Sequence, residues 1–196
     1  GVRASLGHST CTLAQAQAAF AAGAGGGTHL FNAMSGLHHR EPGLAAAALE
    51  AGPDTVHELI LDLEHVHPAS VNLAARAMRG KLALVTDAIR ATGLPEGESE
   101  LGGQRVRVAA GRATLEDGTL AGSVLTLDRA FRHALRHEGL ASDLPEAVRW
   151  SATHAADALG RADLGRLVPG AWADLVVLDE QLEVEAVYRA GVEVAR

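Results

Sequence analysis

Four times within residues 1–90 an apolar run meets a polar residue, and each of the first three is followed by a helix-forming stretch that leads to the next run. "LGHST" carries His8, "GTHLF" His29, "TVHELILDLEHV" (55–66) His65, and "LALVTDAI" (82–89) Asp87. Between them lie "TLAQAQAAFAAGA" (12–24), "EPGLAAAALEAG" (41–52) and "ASVNLAARAMRG" (69–80). The first helix is expected to stop at Gly23, and the second to start near Pro42 and close at Gly52. Strands alternating with helices of this length predict a parallel sheet with helical crossovers, in a barrel or a doubly wound fold. Folds of that kind gather their active-site groups at the carboxyl ends of the strands, where these four polar residues stand.

Beyond Asp87 the pattern changes. Residues 91–123 are rich in glycine and turn residues, which predicts a loop and a β-hairpin; 125–139 reads as an amphipathic helix and 144–160 as a further helical stretch. The tail, 165–196, is strand-like throughout, with turns at Pro169-Gly170 and Ala190-Gly191.

Composition narrows the partners. A formal charge of −7 with no basic cluster argues against nucleic acid, and no apolar run of about 18 residues is present to span a membrane. A small-molecule partner is expected. The one cysteine, Cys11, has no internal disulfide partner, and no signal-peptide pattern opens the chain, so a cytoplasmic location is expected. The chain starts on Gly rather than Met, and an upstream segment is expected.

Neutral imidazole is a common ligand of zinc and similar ions, so histidines at successive strand ends could share one ion; each could equally be a hydrogen-bonded residue of a half-buried loop. Asp87 offers a carboxylate able to move a proton to and from water, or else a helix N-cap. His133 and His137, four apart on a helix, lack the glutamate of a zinc-protease helix and read as a solvated face. His38, His39, His57 and His154 read as surface or packing residues.

"LGHST", "THLFNAM" followed by "REPG", "LDLEHVHP", "LALVTDAI", "GLPEGE", "DGTLAGS" and "LGRLVPGAWADLVVLD" occur in one order. In that order the chain resembles the second part of the N-acetylglucosamine-6-phosphate deacetylase family, of the amidohydrolase superfamily, along almost all of its 196 residues. The resemblance implies an α/β fold: the second half of a TIM-type (β/α)8 metal-dependent hydrolase barrel plus the closing strands of a small β-sandwich. Residues 1–160 would supply barrel strands five to eight, with a β-hairpin insertion around 96–120, and 161–196 the sandwich strands.

By the same resemblance, His8 and His29 correspond to metal ligands and Asp87 to the catalytic aspartate. Asn32, the backbone of Ala33, and an Arg40 reaching in from a neighbouring subunit correspond to phosphate-binding groups. His65 and the loop Leu120-Ala121-Gly122 correspond to substrate contacts, while His67 is expected to point away. A guanidinium fork suits a phosphate dianion; without the resemblance, Arg40 reads as an ordinary surface charge.

The implied cofactor is a divalent metal, zinc first, with iron or cobalt as alternatives. The implied partners are a sugar phosphate and a second subunit in a homodimer, with no nucleic acid and no membrane. The implied reaction is deacetylation of N-acetylglucosamine 6-phosphate to glucosamine 6-phosphate and acetate in amino-sugar catabolism. Alternatives are another amidohydrolase, acting on a different N-acyl sugar or a cyclic amide, and a non-catalytic barrel fragment serving as a binding or assembly module.

Two departures stand out. The family places a glycine before the strand-seven histidine where this chain has Leu63, which is strained if φ is positive there. The family also draws a glutamate ligand from a "His-x-Glu-Gly-Pro" strand that this sequence lacks, so the isolated chain is expected to be incomplete and inactive.

Overall fold

A computed structural model describes residues 2–137, 140–141 and 143–194. The fold is α/β. Four parallel strands lie side by side in sequence order: β1 (Ser5–Leu6), β2 (Gly26–Gly27), β3 (Val56–Ile60) and β4 (Lys81–Val85). Helices α1 (Leu13–Ala21), α2 (Gly43–Glu50) and α3 (Pro68–Ala77) connect them. Strands β1 and β4 are the sheet's two edges, so the described residues form no closed barrel.

Local chemistry sets the helix limits. Thr12 and Gln15 form a reciprocal capping box at the start of α1, and Gly23 ends it at φ +104°. His67 accepts from the amide of Ala69 with Pro68 following, which starts α3; His67 is thus an exposed helix cap. Strands β2 and β3 approach so closely that a Cβ on Gly26 would sit 1.7 Å from the carbonyl of Val56, so only glycine fits there.

The largest core cluster packs Leu59, Ile60 and Leu61 of the third strand region against Val71 and Ala74 of α3 and Phe131 and Ala134 of α4 (Leu127–Arg136). Fully burying each of these large side chains is worth about 1.5–3 kcal/mol. His133, expected on a solvated face, instead donates from Nδ1 to the carbonyl of Leu61 at 2.8 Å and pins α4 to the sheet. His137 is exposed at the helix end, and the last two positions of the expected helix, 138 and 139, lie outside the described residues.

The expected hairpin is a three-stranded antiparallel meander: β5 (Gly97–Leu101), β6 (Gln104–Ala109) and β7 (Arg112–Thr114). The stretch 144–160 is helical but not uniform, because a π-helical turn, Arg149–Thr153, separates α5 (Leu144–Val148) from α6 (His154–Ala158). In the tail only β8 (Leu175–Leu178), β9 (Val184–Arg189) and β10 (Val192–Val194) form strands, in one antiparallel sheet; residues 195 and 196 lie outside the described residues. Among the described residues no helix is long and apolar enough to cross a membrane.

Candidate metal centre and substrate site

Three of the four polar residues leave the sheet in the same way. His8 follows β1 by two residues, His29 follows β2 by two, and Asp87 follows β4 by two. All three hold left-handed backbone, with φ of 45°, 32° and 48°. A non-glycine residue in that region is uncommon and costs about 1–3 kcal/mol. The same bend therefore turns each side chain out at the carboxyl edge of its strand.

The geometry brings His8 and His29 together. Their Nε2 atoms are 2.8 Å apart, and the rings meet edge to face with centroids 4.7 Å apart. His29 is 7% exposed, and its Nδ1 has no partner among the described residues. Two imidazole nitrogens this close together are suitable donors for zinc or a similar divalent ion. A catalytic ion of that kind takes three protein ligands, and no third His, Cys, Asp or Glu joins the pair among the described residues. The pair fits a divalent ion as two of its ligands.

No helix follows Asp87, which removes the N-cap alternative. Its backbone is instead sewn to the loop that ends in Leu120, Ala121 and Gly122. The amide of Ser123 donates to the Asp87 carbonyl at 2.8 Å, and the amide of Ile89 to the Ser123 carbonyl at 2.9 Å. The Ser123 hydroxyl bonds the Thr86 carbonyl. Gly122 lies at φ +60°, and a Cβ there would stand 2.6 Å from Ile89 Cγ2 and 3.0 Å from the Asp87 carbonyl oxygen. Only glycine lets the loop run this close beside Asp87. Ala121 is held by its amide to the Ala113 carbonyl, and Leu120 bridges to Thr114.

After His29 the chain does not continue as a strand. Phe31 and Ala33 are also left-handed, at φ 75° and 47°, and Asn32 Nδ2 donates back to the carbonyls of His29 and Leu30. Ala33 is exposed, with its carbonyl accepting from the amide of Ser9. Asn32 and Ala33 therefore sit in a turn locked to both histidine segments. Arg40 lies on an exposed loop clamped at both ends. At one end the Ser35 hydroxyl donates to the Cys11 carbonyl and accepts from the amide of Leu44; at the other, Glu41 Oε1 accepts from the amides of Leu13 and Gly43. Arg40 Nη1 donates to His39 Nε2 at 2.9 Å, and the His38 and His39 rings touch at 4.4 Å.

His65 departs from the expected placement. It is five residues past β3, not at the strand end, and the position two past β3 belongs to Asp62. The "D-x-x-H" spacing of Asp62 and His65 was the available signal for that pairing. Burial pushes the Asp62 carboxyl up, but hydrogen bonds from the His65 ring and from the amides of His65 and Glu64 outweigh it and hold the group below its ordinary value. Leu63 takes φ +69°, the strained state anticipated for a side chain at that position.

His57 is a packing residue, wholly buried on β3. Thr55 Oγ1 donates to the Gly52 carbonyl, so its contact with His57 Nε2 is an N–H donated by the ring, which leaves Nδ1 as a buried lone pair without a partner among the described residues. Burial lowers its pKa to about 4.

Comparison with known proteins adds relatives. Residues 1–194 match the amidohydrolase family. N-acetylglucosamine-6-phosphate deacetylase of Lysinibacillus sphaericus is 42% identical over 194 residues, covering 97% of this chain and 49% of that protein. N-acetylgalactosamine-6-phosphate deacetylase of Escherichia coli O157:H7 is 41% identical over 191 residues, covering 97% of this chain and 50% of that protein. The solved N-acetyl-D-glucosamine-6-phosphate deacetylase of Mycobacterium smegmatis, a mutant in complex with N-acetyl-D-glucosamine-6-phosphate, is 44% identical with a TM-score of 0.91, covering 98% of this chain and 51% of that one. The chain spans about half the length of these relatives.

Proposed function

The chain belongs to the amidohydrolase family, and from that membership we propose that it forms the half of an N-acetylglucosamine-6-phosphate deacetylase that carries the catalytic aspartate. In this reading β1 to β4 are strands five to eight of a (β/α)8 barrel, and β8 to β10 belong to a small β-sandwich. The observation that carries it is the convergence of His8 and His29 at 2.8 Å on adjacent strand ends, with Asp87 presented by the same left-handed bend at the same carboxyl end of the sheet.

His8 and His29 would hold the ion, completed by a carboxylate from outside this chain. When bound, such an ion supplies Lewis-acid polarisation of a carbonyl oxygen and a more acidic water. Asp87 takes a proton from the attacking water as its oxygen bonds the acetamide carbon, then returns that proton to the nitrogen as the carbon–nitrogen bond breaks. The products are acetate and the free amine of the sugar phosphate. Asn32 and the Ala33 backbone bind the phosphate, with Arg40 donated across a homodimer; the exposed, clamped loop that carries Arg40 supports that role. His65, Leu120, Ala121 and Gly122 line the sugar pocket, and the enzyme works in the cytoplasm.

The test is acetate release from N-acetylglucosamine 6-phosphate by the longer protein that contains this chain. Asp87→Asn is expected to keep bound zinc while turnover drops about 100- to 10,000-fold, the contribution of a general acid–base group. Retained turnover would remove Asp87 from the chemistry. The C4 epimer, N-acetylgalactosamine 6-phosphate, is the control substrate in that assay. A higher kcat/KM for the galacto sugar would overturn the glucosamine assignment.

A further inference from the structure

The group that follows β3 by two residues is a carboxylate that, among the described residues, accepts only from its own loop. Asp62 Oδ1 accepts from the amides of Glu64 and His65, both at 2.9 Å, and Oδ2 accepts from the ring of His65 at 2.6 Å. The two side chains are only 9% and 6% exposed, so water competes little for these bonds. The left-handed Leu63 reverses the chain in time for both amides to point back at Asp62.

We propose that Asp62 is a positioning residue that fixes His65 as its Nδ1–H tautomer, so that the neutral ring offers the Nε2 lone pair to a hydroxyl of the bound sugar. An ionised carboxylate only accepts, so a neutral His65 bonded to it must carry its proton on Nδ1. Nε2 is then an acceptor, matched to a hydroxyl donor and mismatched to the phosphate oxygens that the Arg40 guanidinium suits. The idea rests on the reading of His65 as a substrate contact, and it adds which hydrogen-bond partner that contact selects and which residue enforces it.

Asp62→Asn separates the parts. Asparagine Oδ1 still accepts the two backbone amides, so the turn is kept. Its NH2 group then faces Nδ1 and requires the opposite tautomer, which turns Nε2 into a donor. Long-range proton–nitrogen correlation on the histidine-labelled chain, at about pH 9 where imidazole is neutral, is expected to show Nδ1–H at His65 in the wild type and Nε2–H in Asp62→Asn. In the longer protein, KM for N-acetylglucosamine 6-phosphate is expected to rise about tenfold or more in Asp62→Asn, the scale of one mispaired buried hydrogen bond. The accompanying change in kcat should stay within about threefold, since catalysis scales only with contacts that strengthen in the transition state.

A wild-type Nε2–H tautomer overturns the proposal, and that measurement stands even if the variant does not fold. It is equally overturned by an unchanged tautomer in Asp62→Asn, or by an unchanged KM in Asp62→Asn where His65→Ala raises it. If His65→Ala itself leaves KM unmoved, the substrate reading of His65 fails, while the tautomer exchange still identifies Asp62 as the group that orients the ring.

Discussion

At His57 a single nitrogen sets an acid sensitivity. The ring donates from Nε2 to Thr55, and protonating Nδ1 would bury a charge and a second N–H with no acceptor among the described residues; burial therefore lowers its pKa from 6.5 to about 4. Between those values the unfolded chain binds the proton and the folded chain does not, so stability drops as pH falls from 6.5 towards 4 and this contribution levels off below. At pH 5 the loss is about 2 kcal/mol. Urea midpoints of the wild type should shift accordingly between pH 7 and 5, and His57→Phe should remove that part of the slope whatever it does to absolute stability. Leu63 sets two effects against each other. Its left-handed backbone costs about 1–2 kcal/mol relative to glycine, yet its side chain packs on the main core. Leu63→Gly is therefore expected within about 1 kcal/mol of neutral by urea denaturation, whereas Leu61→Ala, in a fully buried site, should cost about 2–5 kcal/mol. A loss above about 2 kcal/mol for Leu63→Gly would show that packing, not backbone strain, dominates there.

At the scale of elements, helices were more legible than strands. Helix α1 follows from Thr12, Gln15 and Gly23, and α3 from Pro68, because caps and stops act within one turn of the chain. The strands are shorter than the apolar runs that predict them. "GTHLF" is apolar enough for a strand, but only Gly26 and Gly27 pair, since His29, Phe31 and Ala33 adopt left-handed backbone that cannot extend a ladder. Nothing in those side chains announces a positive φ; the surrounding loops impose it. Glu41, in "REPG", joins α1 to the start of α2, its carboxylate accepting from the amides of Leu13 and Gly43. Glu41→Ala should cost about 0.5–2 kcal/mol, the range for loss of a helix-terminal acceptor, with faster amide exchange at Leu13 and Gly43. Glu41→Gln, which keeps an acceptor oxygen, should recover most of that loss. A Glu41→Ala variant with unchanged exchange at both amides would mean the clamp is not what holds the Arg40 loop.

For the whole molecule, the His8–His29 pair predicts a measurable linkage to metal. An ion that binds only the folded state stabilises it by about 2.7 kcal/mol at a hundred times its Kd. Zinc should raise the urea midpoint of the longer protein that contains this chain, the rise should vanish in His8→Ala and in His29→Ala, and it should persist in His133→Ala, whose ring is tied to Leu61. An equal rise in all three variants would place the ion elsewhere. The sequence by itself determined the alternation of strand and helix, the polar group near each strand's end and the family those motifs match, because all three are written in near-neighbour chemistry and residue order. Tertiary structure alone decided that two histidines from separate strands meet at 2.8 Å and that Gly122 lets a distant loop lie against Asp87. Those are contacts between segments far apart in the chain, fixed by parallel register and close backbone approach, which no local pattern of residues encodes.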